Sequence, residues 1–434
     1  MTQRLRVLGV GDHCDLGDMY VRLGAQGHEV RVCVREPEAH DMLAGLVTQV
    51  PDWRAQLAWV RDNGIIIFET AHDGALQDEL RRDGFRVIGG GAFGDRLEGD
   101  RAFGQAMMRE MGLATAHAES FTDFAAGAAY ARAQQRRLVF KMNGEGIASW
   151  RNYVGQSEDG SDVAAYLDAL AQRWPDPVSF ILMDFLHGVE MGVGAYFDGD
   201  KFLTPACLDW EHKRFFPSDL GELTGEMGTV VTYSGSEPFF ARTLAKLAPQ
   251  LRAHGYCGYI NLNTIVNAEG IWPLEFTSRF GYPGFAILSP LQQDGWGALL
   301  HALAFGGETS FAAQPGFAVG VVLTVPPFPY RFGYAEVSRG SLVLFAQSLT
   351  AAERDHLHYG EVGLDARGAL VACGSVGYLM VATGVGPDVA QAREHAYGVA
   401  RKVICPNLRY RDDIGEKLIA GDLAQLRQWG YFAD

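Results

Sequence analysis

Apolar runs and helical stretches alternate along residues 1–100. Residues 5–10 form an apolar run closing on Gly9-Val10-Gly11, and Leu16, Met19, Tyr20 and Leu23 then recur at the spacing of one helix face. Gly27 stops that helix, residues 29–34 read as a second strand, and residues 55–60 as a second helix. Gly64-Ile65-Ile66-Ile67-Phe68 is an apolar strand, followed by a helix over 76–82 and a strand over 85–89. Short apolar strands separated by helices predict a parallel sheet covered on both faces. Ligands bind such sheets beyond the carboxyl ends of the strands, here residues 11–18 and 69–74. Asp12, His13 and Cys14 follow Gly11, which breaks the G-x-G-x-x-G pattern and argues against a classical dinucleotide site.

The middle of the chain carries more chemistry. Phe103, Met107 and Met111 lie on one helix face and read as core. Val139-Phe140-Lys141 ends a strand with a lysine, and the stretch Met142-Asn143-Gly144-Glu145-Gly146-Ile147-Ala148-Ser149 follows. A lysine there either holds phosphate oxygens while backbone N–H groups cradle them, or is a surface residue before a turn. Phe180-Ile181-Leu182-Met183 runs into Asp184-Phe185-Leu186-His187-Gly188-Val189-Glu190, a strand-to-loop segment able to read an adenine edge, with a later carboxylate for ribose hydroxyls. The plain alternative is a sheet edge with solvated acids. In Asp209-Trp210-Glu211-His212-Lys213-Arg214 the basic pair is either solvated or an anion clamp. Residues 259–266 and 272–276 read as a hairpin around the turn Asn267-Ala268-Glu269-Gly270. Glu275, Thr277 and Arg279 alternate and share a face if the strand continues, a set that suits magnesium-triphosphate. Beyond Phe317, strands over 321–325 and 376–381 and a helix over 387–404 give an α+β pattern.

The length, 434 residues, suggests about three domains, and 48% hydrophobic residues against 21% charged supply a full core. The 52 acidic residues exceed the 37 basic ones, for a formal charge of −15, which disfavours nucleic acid and anionic membranes as partners. Six cysteines without a C-x-x-C pair argue against zinc and dithiol chemistry. No secretory leader opens the sequence and no apolar run is long enough to span a bilayer, so a soluble cytoplasmic protein is expected.

These pieces, in this order, resemble the phosphoribosylamine–glycine ligase family of the ATP-grasp superfamily along nearly the whole chain. Leu97-Glu98-Gly99-Asp100-Arg101-Ala102-Phe103 is similar to the opening of the family's ATP-grasp domain, where the position of Arg101 is usually lysine. Lys141 falls on its phosphate-binding lysine, Asp184-Phe185-Leu186 on its adenine hinge and Glu190 on its ribose-binding acid. Glu211-His212-Lys213-Arg214 resembles its Asp-His-Lys-Arg, and Gly225-Glu226-Met227-Gly228 its Gly-Gly-Met-Gly. Leu274-Glu275-Phe276-Thr277-Ser278-Arg279-Phe280-Gly281-Tyr282-Pro283 resembles its Glu-Phe-Asn-x-Arg-Phe-Gly-Asp-Pro, and Tyr397 with Tyr410-Arg411-Asp412-Asp413-Ile414-Gly415 its closing segment.

The resemblance implies an α/β and α+β protein with the ATP-grasp fold: an N-terminal parallel-sheet domain (1–100), the ATP-grasp domain (101–310) and a small C-terminal α+β domain (311–434). It implies an ATP-dependent carboxylate–amine ligase of purine biosynthesis, working through an acyl phosphate and needing no covalent enzyme nucleophile. Arg279 and Lys213 would be catalytic. Arg101, Lys141, Asp184, Phe185, Leu186 and Glu190 would hold ATP, and Glu275, Thr277 and Asn263 a magnesium or manganese ion. Partners are ATP and small carboxylate and amine substrates, with a monomer or homodimer expected. A lid over residues 143–149 would keep water off the intermediate, with Arg151 standing in for the lid's usual lysine.

Departures gather at the acceptor end. The first loop, Gly11-Asp12-His13-Cys14-Asp15-Leu16-Gly17, has no arginine where the family has Arg-Glu-His. Glu69-Thr70-Ala71-His72-Asp73-Gly74 replaces Gly-Pro-Glu-x-Pro-Leu, and Thr277 replaces the metal asparagine, for which Asn261 or Asn263 could substitute. A ligase for a different carboxylate and amine, or an ATP-binding protein that has lost turnover, are the alternatives.

Overall fold

The computed structural model describes residues 4–142, 152–174 and 178–433. The expected lid, 143–149, and Arg151 lie outside the described residues.

The N-terminal sheet has five parallel strands in the order Thr48–Gln49, Glu29–Val34, Arg6–Gly11, Gly64–Phe68, Val87–Ile88. Its central strands, Arg6–Gly11 and Gly64–Phe68, are largely apolar because alternate residues serve two cores. Val7, Ile65 and Ile67 pack with Met19, Tyr20 and Leu23 of the helix Gly17–Ala25. Leu8, Val10, Ile66 and Phe68 pack with Trp53, Val60 and Leu80 on the other side. Gly9 permits the close approach of that first helix, since a Cβ there would meet the Tyr20 ring at 2.4 Å.

A small antiparallel sheet follows, in the order Ala118–Phe121, Phe180–Asp184, Leu138–Met142, Tyr153–Val154. The helices Phe124–Gln134 and Ser161–Arg173 pack on it through a core of its own, with Phe124, Phe140, Leu167, Phe180 and Leu182 at its centre.

The third sheet has eight antiparallel strands. In spatial order they are Gly270–Thr277, Cys257–Asn267, Val189–Asp198, Phe202–Glu211, Gly228–Thr232, Phe317–Thr324, Tyr378–Gly386 and Leu357–Tyr359. This sheet therefore runs unbroken across residue 311, joining strands on both sides of it by the Gly228–Thr232 to Phe317–Thr324 ladder. The helix Val389–Ala400 is shorter than the predicted 387–404: the Asp388 side chain caps it by accepting from Gln391 N–H at 2.8 Å, and Val403–Ile404 is a short strand.

A buried polar clasp ties the first helix to the far edge of the large sheet. Asp18 Oδ2 lies 2.7 Å from His358 Nδ1 and 2.5 Å from Arg22 Nε, and Asp18 Oδ1 accepts from the Tyr359 N–H at 3.2 Å. Truncating Asp18 would leave these buried donors without an acceptor. Asp18→Ala is expected to lower unfolding stability by about 3 kcal/mol, read by urea denaturation.

Candidate functional site

The cleft lies between the small sheet and the edge of the large one. Lys141, on Leu138–Met142, is the contribution of the small sheet. Burial lowers its amine below the usual lysine range, and Glu275 across the cleft partly offsets this.

The large sheet supplies the opposing wall through strand register. Glu275 stands opposite Asn263, Asn263 opposite Gly192, and Gly192 opposite Asp209, so these residues form a row on one face. Gly192 is required there: a Cβ would sit 2.2 Å from Asp209 Oδ1. Glu190 and Glu211 flank the row two positions along their strands. Asn263 donates from Nδ2 to Glu190 Oε1 at 2.8 Å, and Asn261 from Nδ2 to Asp209 Oδ2 at 2.6 Å.

Lys213 holds this wall together. Its Nζ lies 3.0 Å from Glu211 Oε2, 3.3 Å from Glu275 Oε1 and 3.5 Å from Glu190 Oε1. Burial opposes its charge, but Glu211, Glu275 and Glu190 outweigh it and hold Lys213 well above the usual lysine range. Lys213 in turn, ahead of Lys141 and against burial, holds Glu275 below the usual carboxylate range. Arg101 opens the helix Arg101–Glu110 behind its cap, Asp100, and its charge faces Glu275.

The structure brings Arg101, Lys141, Glu190, Lys213, Asn263 and Glu275 together. The adenine segment is more committed. Asp184 N–H donates to the His117 carbonyl at 3.0 Å and Phe185 N–H to the Arg137 carbonyl at 3.2 Å. The Asp184 carboxylate pairs with Arg136 at 2.9 Å, and the Arg137 guanidinium lies 3.6 Å from the Phe185 ring centroid. Leu186 lies two residues beyond the strand end.

The expected alternation of Glu275, Thr277 and Arg279 is corrected, because the strand ends at Thr277. The Ser278 N–H leaves the ladder to donate to Glu98 Oε2 at 2.8 Å, and Arg279 Nε takes Glu98 Oε1 at 3.1 Å. Arg279 thus turns toward the edge of the N-terminal sheet, where its charge opposes the burial that raises Asp15. Thr277 stands opposite Asn261.

At that edge lies an arginine the loop motif did not reveal. Arg35 follows the second strand and pairs with Asp12 at 2.8 Å and Asp73 at 2.6 Å. Glu69 is buried beneath the loop, accepts from the Tyr20 hydroxyl at 2.7 Å and fills the space where a Gly11 Cβ would stand. Burial first, then Asp15, push Glu69 up to about 8. A carboxyl raised this far binds a proton that the unfolded chain releases at lower pH. Stability should therefore fall as pH rises from the ordinary carboxylate range toward about 8. Glu69→Gln is expected to flatten that fall, measured as Tm against pH.

Two acids beside Lys213 were also not singled out as site groups. Thr224 N–H donates to the Lys213 carbonyl, and Met227 N–H to the His212 carbonyl, both at 2.8 Å. This brings Glu226 against Asp209 and Glu211. Burial, then Glu211, push Asp209 up to about 8, and burial likewise raises Glu226, well above the usual range. The one sequence signal was the glutamate in a segment otherwise matching Gly-Gly-Met-Gly.

Residues 99–285 match the family model described as phosphoribosylglycinamide synthetase, ATP-grasp (A) domain. Over that stretch the chain is similar to the ATP-grasp domain of the phosphoribosylglycinamide synthetase family. Similarity to this ATP-grasp family extends beyond the matched domain. The phosphoribosylamine–glycine ligase of Listeria monocytogenes is 25% identical over 350 residues, 78% of this chain and 80% of that protein. The Neisseria meningitidis ligase of the same name is 26% identical over 358 residues, 79% of this chain and 81% of its own. The crystal structure of phosphoribosylamine–glycine ligase from Thermotoga maritima superposes with a TM-score of 0.71 at 21% identity, covering 94% of this chain and all of that one, a likeness of fold. No helix among the described residues is long and apolar enough to cross a membrane.

The oxygen donors in the cleft fit the hard divalent cation used by the family. Among the described residues no group of three His, Cys, Asp or Glu side chains could cage a metal unaided. Magnesium needs no such cage, since it takes one or two carboxylates and completes its shell with phosphate oxygens and water. Glu275, with Asn263 opposite, meets that requirement.

Proposed function

We propose that this chain is an ATP-dependent carboxylate–amine ligase that joins glycine to phosphoribosylamine, the pair in the name of its relatives. The observation that carries this reading is the convergence of Lys141 from the small sheet with Glu275 on the large sheet and Lys213 in the loop beyond the strand Phe202–Glu211. The base would lie by Phe185 and Leu186, the ribose hydroxyls by Glu190, and the phosphates between Lys141, Arg101 and Lys213.

In the reaction, an oxygen of the carboxylate attacks the terminal phosphorus of ATP, the bond to the bridging oxygen breaks, and ADP leaves. The amine nitrogen then attacks the acyl carbon and phosphate departs. The obstacle is repulsion between the carboxylate and the triphosphate, which Lys141, Lys213 and Arg101 would offset by positive charge beside the transferring group. A divalent cation held by Glu275 and Asn263, with Thr277 nearby, would neutralise phosphate charge when bound. Phosphate release is the test. Release from ATP that requires both glycine and phosphoribosylamine supports the assignment. ATP binding without release for this pair rejects it.

A further inference from the structure

A ligase of this kind must dispose of the proton on its nucleophile. An amine held as an ammonium ion has no lone pair, and it can attack an acyl carbon only after a base has taken a proton. The acids around Lys213 are ill suited to this, because Glu190, Glu211 and Glu275 are all engaged by it.

Glu226 is placed differently. It is 5% exposed, and among the described residues its Oε1 accepts no hydrogen bond. Asp209, whose charge raises Glu226, is 6% exposed and has an Oδ1 likewise without a partner among the described residues. Buried carboxylate oxygens are normally met by donors, since leaving them unmet costs free energy. The charged groups that face Glu226 are Glu211, Asp209 and Lys213, and its own N–H donates to the Tyr378 hydroxyl at 3.1 Å. Glu226 thus sits between the Lys213 cluster and Tyr378 on the Tyr378–Gly386 strand, outnumbered by acids and with one carboxylate oxygen met by no donor among the described residues.

We propose that Glu226 receives the acceptor's amino group: its Oε1 binds a primary ammonium ion, with Asp209 Oδ1 as the second acceptor, and takes the proton that frees the nitrogen lone pair. This rests on the ligase reading above. The balance is simple. One proton passes from the ammonium nitrogen to Glu226, the nitrogen forms its bond to the acyl carbon, and the carbon–oxygen bond to phosphate breaks. The second proton lost from nitrogen leaves with the phosphate, and Glu226 returns its own to solvent. The raised proton affinity that burial, Glu211 and Asp209 give Glu226 matches such a base to an amine.

Hydroxylamine separates this step from the one before it, since it is uncharged at neutral pH and traps an acyl phosphate without a base. The full-length enzyme with ATP, magnesium and glycine should form the hydroxamate equally well as wild type and as Glu226→Gln. With phosphoribosylamine, or with ammonium chloride as the minimal ammonium probe, Glu226→Gln should be slower by about 10²-fold or more. Its rate should also lose the rise with pH that wild type shows, and Glu226→Asp should recover part of both. Hydroxamate formation also reports that each variant is folded. Equal amine-dependent rates in wild type and Glu226→Gln would overturn the proposal. So would hydroxamate lost in the variant alone, or a wild type that forms hydroxamate but uses neither amine. No hydroxamate from wild type would remove the ligase reading itself.

Discussion

Glu275→Gln is expected to reduce ATP-dependent phosphate release by about 10³-fold while leaving the fold intact. The side chain keeps its size and its place opposite Asn263, but its charge is gone. That charge has two roles in the cleft. It is the carboxylate best placed to hold a divalent cation, and it balances Lys213 at 3.3 Å and Lys141 across the gap. The variant should show wild-type thermal unfolding without nucleotide and a much smaller stabilisation on adding magnesium and ATP. Turnover close to wild type would move the metal away from this residue.

Lys213→Met should have the opposite signature. Three carboxylates would then converge without a central cation, with side chains 26% to 61% exposed. Screening by solvent limits the penalty, so a loss of about 1–2 kcal/mol is expected. Magnesium should restore part of this stability, because a cation can take the place vacated by the ammonium group. Phosphate release should fall by about 10²-fold with or without added metal, since Lys213 also aims charge at the transferring phosphoryl group. Chemical denaturation with and without magnesium, beside the release assay, checks both parts. Arginine at 213 keeps the charge and should preserve the stability.

The cluster of Lys141, Glu190 and Glu275 was legible because these residues sit at or near strand ends whose patterns are local. Lys141 closes an apolar strand, Glu190 follows another within a few residues, and Glu275 lies on a hairpin that its turn residues announce. The acceptor half was not legible in this way. Arg35 reaches Asp73 across 38 positions, and Asp18 meets His358 across 340, so neither pairing has a sequence period. Glu226 was visible as a residue, but its missing hydrogen-bond partner exists only once the Thr224–Lys213 and Met227–His212 bonds form. Arg279 shows the reverse error: alternation predicted its direction, and one carboxylate, Glu98, redirected it. The unbroken sheet across residue 311 was hidden for another reason, since strands joined to one ladder or to two carry the same apolar pattern.

That continuous ladder decides which part of the molecule can act as a jaw. Backbone hydrogen bonds across eight strands do not stretch, so segments before and after residue 311 travel as one body. The four-stranded unit bearing Lys141 is packed around its own separate apolar centre. Any opening that parts Lys141 from Glu275 is therefore expected to be a swing of that unit, since it is joined to neither side of the ladder.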